Sequence, residues 1–503
     1  MRFSELIEIY GNRMKGKTAF LDYEFGEFRQ ISCEEFLSDV RRSAAFFSRT
    51  KGEKRRRIGI VAENSYRYLV QLFGILLSGE IAVPLNQNMA AETLLSFVRE
   101  LGIGMLLADE DWAEELLEWK NKAASAGKEN GSGSPSENVG AFPTGLAVME
   151  LSEGWEEGEL PSWEDIIKGQ TAREAAGEDT ALMLLSSGTS GRSKAVMLSA
   201  ENLTASSAAI LRESEKEPKE VLQALPMYHI GGIILTIEEM MRGNTVAISS
   251  AKYFMLQVME HRFSKLILVP AMAEMLLNKA EEKEEISEGL SEVEEMLCVG
   301  APLLKKDADR MKERGIAPRV YYGMTETTGT VSCFGDYRDG ACGIVAGHNE
   351  VRLQNGEILI RGANVMKGYY GNEEETAKVL KDGWLHTGDL GEIDEDGYLF
   401  IRGRLKNIII LSNGENVSPE ELEEKLLPCP EVTEVLVFAG EKGITAKVYS
   451  EGEAASAEER EKAVRDYVRS VNRTLPTTHK IKETVFSPVP MEKSGIGKLK
   501  RSL

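Results

Sequence analysis

Cysteine is scarce in this 503-residue chain. Cys33, Cys298, Cys333, Cys342 and Cys429 are scattered, with no CxxC pair and no metal-ligand spacing. That excludes a disulfide-stapled fold and a structural zinc cluster, and it fits unpaired thiols in a reducing compartment. No apolar run approaches the length of a membrane span. Positive charge is also short: 60 Lys and Arg face 81 Asp and Glu, for a formal net charge of −21. Nucleic acid and anionic membranes both require a positive surface, so neither is expected as the main partner. MRFSELIEIY places acidic residues where a secretory signal needs an apolar core, so a cytoplasmic protein is expected. One basic cluster, KGEKRRR at Lys51–Arg57, precedes the strand pattern RIGIVAEN and reads as a solvated loop.

What is present is an apolar fraction of 42%, that of a globular protein, in a chain long enough for two to four domains. CEEFLSDVRRSAAFF, RIGIVAEN, SYRYLVQLFGILLSGEIAVPLN and LLSFVRELGIGMLLADE alternate helix and strand patterns, which predicts a largely parallel sheet. Residues 121–145, rich in Gly, Ser, Lys and Glu, read as a mobile surface insertion. Alternation resumes through VLQALPMYHIGGIILTIEEMMRG, NTVAIS and KLILVPAMAEMLLNKA, with the acidic run Glu281–Glu295 as an exposed helix face. From Arg319 the pattern turns to short strands and tight turns, a β-rich unit, and the last hundred residues suffice for a small α+β domain.

One motif misleads. Gly11–Thr18 matches G-x-x-x-x-G-K-[ST], but a phosphate-binding P-loop needs a strand before it and a helix after it. Here FSELIEIY before it has helical spacing and TAFLDYEFGEFRQI after it reads as a β-hairpin, so the match is set aside.

Five other stretches carry chemistry. SSGTSGRSK (Ser186, Ser187, Gly188, Thr189, Ser190, Gly191, then Lys194) follows the apolar run TALMLL. Its glycines let backbone N–H groups fold around a polyanion, its hydroxyls add donors, and Lys194 adds a charge; a plain Gly/Ser/Thr turn is the competing reading. YYGMTETTG offers an aromatic face (Tyr322), a hydroxyl (Thr325) and a carboxylate for a hard cation (Glu326). Asp389 in HTGD and Arg404 in GRLKN suit a ribose and a phosphate, whereas Asp394, Glu395 and Asp396 read as turn residues. LSNGENVSPEELE is a Gly turn before a capped helix start, and EKSGIGKLKR ends the chain with Lys498 among small residues.

Together these residues resemble the adenylate-forming superfamily of acyl-CoA synthetases, peptide-synthetase adenylation domains and beetle luciferases. The resemblance runs through Ser186–Lys194, Tyr322–Glu326, Thr387–Asp389, Gly403–Lys406 and Gly497–Lys498, with PMYHIGG and VGAPL between them. It implies an α/β fold: a large N-terminal domain of stacked α/β sheets with a β-rich subdomain (1–404), and a small mobile α+β C-terminal domain (405–503). It implies that a carboxylate attacks the α-phosphate of ATP and displaces pyrophosphate, after which a thiol displaces AMP. Ser186–Gly191 and Lys194 would then hold the β- and γ-phosphates, Thr325 the α-phosphate and Glu326 a Mg²⁺ ion. Gly300, Ala301, Pro302 and Tyr322 would line the adenine, with Gly323 and Met324 also among the nucleotide-binding residues, and Asp389 and Arg404 would hold the ribose. Lys498 would act in adenylation, with Lys406 at the hinge.

Ser193 and Ala195 depart from the family's usual Pro and Gly beside the loop lysine, and Ala200 stands where His is frequent. His229 occupies the region where amino-acid-activating domains carry an Asp, and no carboxylate follows until Glu238, so an uncharged fatty or aryl acid is expected. His229 is a candidate gate of the acyl channel; a structural histidine is the competing reading. His229, Ile230, Gly300, Gly323, Met324 and Thr328 are candidate acyl-wall residues. Coenzyme A is the expected thiol, with a separate carrier protein as the alternative, since the chain stops just after Lys498. A homodimer is compatible with this reading.

Overall fold

The computed structural model describes the chain except residues 25, 49–54, 130–142, 144–145, 152–161, 163, 167–178, 187–192, 211–218, 412–415, 441, 452–455, 494–498, 500 and 502–503. Helices Tyr66–Ser78 and Ile230–Arg242 are apolar around nearly their whole circumference, so they require cover on every side. Two large sheets provide it, and one hydrophobic cluster joins both helices to strands of both sheets.

Among the described residues the first sheet has seven strands. Its parallel centre is Ile81–Pro84, Arg57–Val61 and Ile103–Ala108, and the antiparallel pair Thr180–Ser186 and Lys194–Ser199 lies at one side. The second has fourteen strands. The hairpin Thr18–Glu24 and Glu27–Ser32 forms its edge, followed by parallel strands Thr245–Ile248, Glu220–Gln223, Lys265–Leu268, Glu295–Val299 and Ala317–Met324. The expected β-rich unit is present but is no separate sheet, because its strands add antiparallel to the last of these. Its hairpin Asn349–Gln354 and Glu357–Gly362 turns on Asn355 and Gly356, both at positive φ as a two-residue hairpin demands.

Helix Phe3–Arg13 precedes the Thr18–Ser32 hairpin, so the P-loop context is reversed as expected. Three expectations need correction. The Arg55–Arg57 end of the basic cluster is not simply solvated. Arg55 donates to the carbonyls of Gly79 and Glu80, Arg56 to Phe47 O and the Glu80 carboxylate, and Arg57 to Leu101 O. The start of the 121–145 insertion is helical through Glu129, although most of the rest lies outside the described residues. The acidic run Glu281–Glu295 ends inside a strand, where Glu295 pairs with Lys265 and Arg319.

Residues 409–486 gather their own hydrophobic cluster. Strands Glu434–Gly440, Gly443–Tyr449 and Glu483–Ser487 pack with helices Pro419–Leu426 and Ala457–Thr474. The expected cap at Ser418 does not form. Its hydroxyl donates instead to Arg402 O at 2.7 Å, joining this unit to strand Tyr398–Arg404.

Candidate active site

Strand Ala317–Met324 changes partner halfway. Residues through Tyr321 pair parallel with Glu295–Val299, while Tyr322 to Met324 pair antiparallel with Gly329–Phe334. Clefts open at such changes of order, beyond the carboxyl ends of parallel strands. A cavity of about 560 Å³ lies here, the size of a small-molecule site. Gly300, just after strand Glu295–Val299, takes φ +88° with open space where a Cβ would stand, so the backbone itself forms part of the wall.

One end of the cavity is polar. Ser186 and Lys194 are register partners at the mouth of the antiparallel pair, and both line it. Lys194 Nζ lies 2.5 Å from Glu375 Oε2 and 4.7 Å from the centre of the Tyr369 ring. Tyr369 donates its hydroxyl to Glu326 Oε1 at 2.9 Å. Glu326 sits in the single turn Thr325–Thr327, whose exit residue Thr328 has φ +50°, a strained value for a β-branched residue. Asn364 secures that turn: its side chain donates to Thr327 O and its carbonyl accepts from the Thr328 hydroxyl. Burial pushes the Glu326 carboxyl above its ordinary pKa, against the opposing pull of its own N–H and Tyr369.

Asp389 stands opposite Arg404 in the ladder. Its Oδ1 takes Arg404 Nε at 2.7 Å and its Oδ2 takes the Tyr322 hydroxyl at 2.8 Å. A carboxylate has about four acceptor sites, so both oxygens retain capacity. Next to it, Glu357 accepts from Gly388 N at 3.0 Å and lies 2.9 Å from His386 Nδ1. Lys406 lines the same end, where loss of hydration and then the Arg404 charge pull its ammonium down to about 8.

The other end is apolar: Leu225, Ile230, Ile234, Leu235, Val269 and Val299 line it. Close backbone approach shapes this end. A Cβ on Gly232 would stand 2.3 Å from Pro226 O, and one on Gly329 would stand 2.5 Å from Ile234 Cγ2. Thr330 adds a hydroxyl to this wall and donates to Glu238 Oε1 at 2.9 Å. Glu238 is fully buried, and burial raises its carboxyl to about 7 although Arg242 opposes the shift.

The cavity thus gathers Ser186, Lys194, His229, Gly300, Ala301, Tyr322, Gly323, Met324, Thr325, Glu326, Arg404 and Lys406, with Asp389 behind Tyr322 and Arg404. Pro302 and Thr328 do not line it; Thr328 is fully buried, its hydroxyl turned to Asn364 O. His229 lines the cavity at the residue preceding helix Ile230–Arg242, its ring tilted against that of Tyr228 with centres 4.5 Å apart. Ser187–Gly191 and Lys498 lie outside the described residues. Ala195 is buried in the core and its φ is not positive, so the departure from glycine there introduces no strain. Sequence reasoning missed Glu375, Tyr369, Lys378 and the Glu357–His386 pair. The only local signal was Asn372 ahead of an acidic helix start, which caps Glu375 N.

Two family models match: "AMP-binding enzyme" over residues 8–370 and "AMP-binding enzyme C-terminal domain" over 406–502. Feruloyl-CoA synthase from Amycolatopsis sp is 30% identical over 430 residues, covering 80% of each chain. Indoleacetate–CoA ligase from Aromatoleum aromaticum is 27% identical, covering 87% of this chain and 85% of that one. In structure, the o-succinylbenzoate coenzyme A synthetase of Bacillus subtilis in complex with AMP superimposes with a TM-score of 0.75. It is 22% identical, and the match covers 99% of this chain and 97% of that one. With that match across both parts of the chain, this protein belongs to the AMP-binding enzyme family.

Proposed function

We propose that this protein is an AMP-forming acid–CoA ligase that adenylates an uncharged aryl or alkyl carboxylic acid and passes the acyl group to coenzyme A. The observation that carries this reading is a single cavity with an apolar end and an end lined by Lys194, Glu326, Thr325 and Arg404. An acid laid along it puts its apolar body among Ile230, Ile234 and Val299 and its carboxylate near Thr325. Lys194 and the hairpin loop hold the leaving pyrophosphate, Asp389 and Arg404 hold the ribose, and Tyr322 faces the base.

The carboxylate oxygen forms a bond to the α-phosphorus as the bond to pyrophosphate breaks. The thiol sulfur of coenzyme A then attacks the acyl carbon and AMP departs. Charge builds on phosphate oxygens in the first step, so prepositioned cations and N–H donors supply most of the rate. Glu326 fits a Mg²⁺ ion: it is a hard carboxylate with a single hydroxyl donor and a burial cost that a cation would offset. Bound there, Mg²⁺ would neutralise phosphate charge.

The substrate class follows from the apolar end, whose described lining carries no lysine, arginine or carboxylate to meet a second charge. The feruloyl and indoleacetate ligases among the relatives are named for aryl acids. In this reading residues 405–503 rotate at Lys406 between the two steps and carry Lys498 in and out. Buried unpaired thiols such as Cys298 fit work in the cytoplasm.

Lys498→Ala tests the assignment. ATP–pyrophosphate exchange should fall by about 10²-fold or more, while thioester formation from supplied acyl-AMP persists. Normal exchange in this variant would sink the assignment. A panel of aryl, alkyl and dicarboxylic acids in the exchange assay identifies the substrate, and a preference for dicarboxylic acids would overturn the uncharged class.

A further inference from the structure

Lys194 already has an anion of its own. The two oxygens of Glu375 are divided between two lysines, Oε2 to Lys194 at 2.5 Å and Oε1 to Lys378 at 2.7 Å. Lys378 also reaches Glu374 at 2.8 Å. Asn372 fixes where this carboxylate stands by accepting from Glu375 N at 3.1 Å. The Tyr369 ring holds the Lys194 ammonium from another side. If Lys194 swings away, Glu375 therefore keeps a cation and Lys194 keeps the ring. Neither charge is stranded, which makes the exchange of partners inexpensive. Lys194 and Lys378 pull the Glu375 carboxyl down to about 2, so it is an anion at any working pH.

We propose that Glu375 is a positioning residue that competes with the β- and γ-phosphates for Lys194. It holds the lysine in place before ATP binds, yields it to the phosphates, and reclaims it as pyrophosphate leaves. The inference rests on the proposed placement of Lys194 at those phosphates. It deepens that reading by assigning a device that trades pyrophosphate affinity for release.

The full-length protein tests it through pyrophosphate and AMP affinities measured by calorimetry. Glu375→Gln, which leaves the backbone cap from Asn372 in place, should tighten pyrophosphate binding by about two- to fivefold, the scale of an ion pair partly open to water. AMP has no β- or γ-phosphate, so its affinity should not move. Unchanged or weaker pyrophosphate binding would overturn the competition, and so would an equal gain for AMP. In a Lys194→Ala background the Glu375→Gln gain should vanish; its persistence overturns the proposal. If Lys194→Ala alone leaves pyrophosphate affinity unaltered, the placement of Lys194 is what fails.

Discussion

Asp389 illustrates how one side chain organises its neighbours. It ties the Tyr322 phenol and the Arg404 guanidinium together, and with 3% exposure it is screened from bulk water. Asp389→Asn removes the charge from both contacts. Hydrogen bonds to a charged group contribute about 1.5–3 kcal/mol, so AMP affinity should fall about 10- to 100-fold by calorimetry. Tyr322→Phe keeps the ring and loses one donor, so its AMP affinity should fall less than tenfold. A larger loss in Tyr322→Phe than in Asp389→Asn would show that the phenol, and not the carboxylate, is the anchor. Asp389 was legible in the sequence because its TGD setting is local. Glu375 was not, because it meets Lys194 across 181 residues of chain and only the fold brings them together. The arginines of the basic cluster were misread for the same reason: the carbonyls at Gly79 and Leu101 that receive them are set by packing.

Helix Ile230–Arg242 links wall to core. Its first turns line the cavity and its later turns bury Glu238 and Glu239. Glu238 has a folded pKa of about 7 against an ordinary 4.5, so the folded protein takes up a proton in that window. The contribution of this group to stability therefore declines as pH rises from about 4.5 to 7 and then levels off. Glu238→Gln retains an oxygen for the Thr330 hydroxyl and removes the titration. The variant should match the parent near pH 4.5 and exceed it at pH 8 by up to about 3 kcal/mol, read from urea midpoints. A constant difference across pH would rule out titration of this group. Periodicity and turn chemistry made most such elements legible, including the Asn355–Gly356 hairpin. The partition of strands between two sheets was not, because pairing partners lie far apart in sequence: past its own hairpin, Thr18–Glu24 pairs with Thr245–Ile248, while the strands between Arg57 and Ala108 belong to the other sheet.

At the scale of the molecule, the large part of the chain and the C-terminal unit approach closely at Gly403. This residue has φ +147°, and a Cβ there would stand 2.3 Å from Ser418 Oγ. Gly403→Ala should loosen that contact, accelerate tryptic cleavage at Arg402–Lys406 and lower ligase turnover about tenfold or more. Unchanged cleavage and turnover would show that the close approach is dispensable. A different kind of consequence comes from the pairing of Ser186 with Lys194. Val196 and Leu198 are anchored in the core between the sheets, while Ala195 belongs to the core on the opposite face. Side chains alternate along a strand, so a one-residue slip would turn Lys194 away from the cavity. The anchored residues resist that slip. A substitution within the loop between the two partners should therefore alter the donors it offers to phosphate while leaving the lysine on its face of the strand.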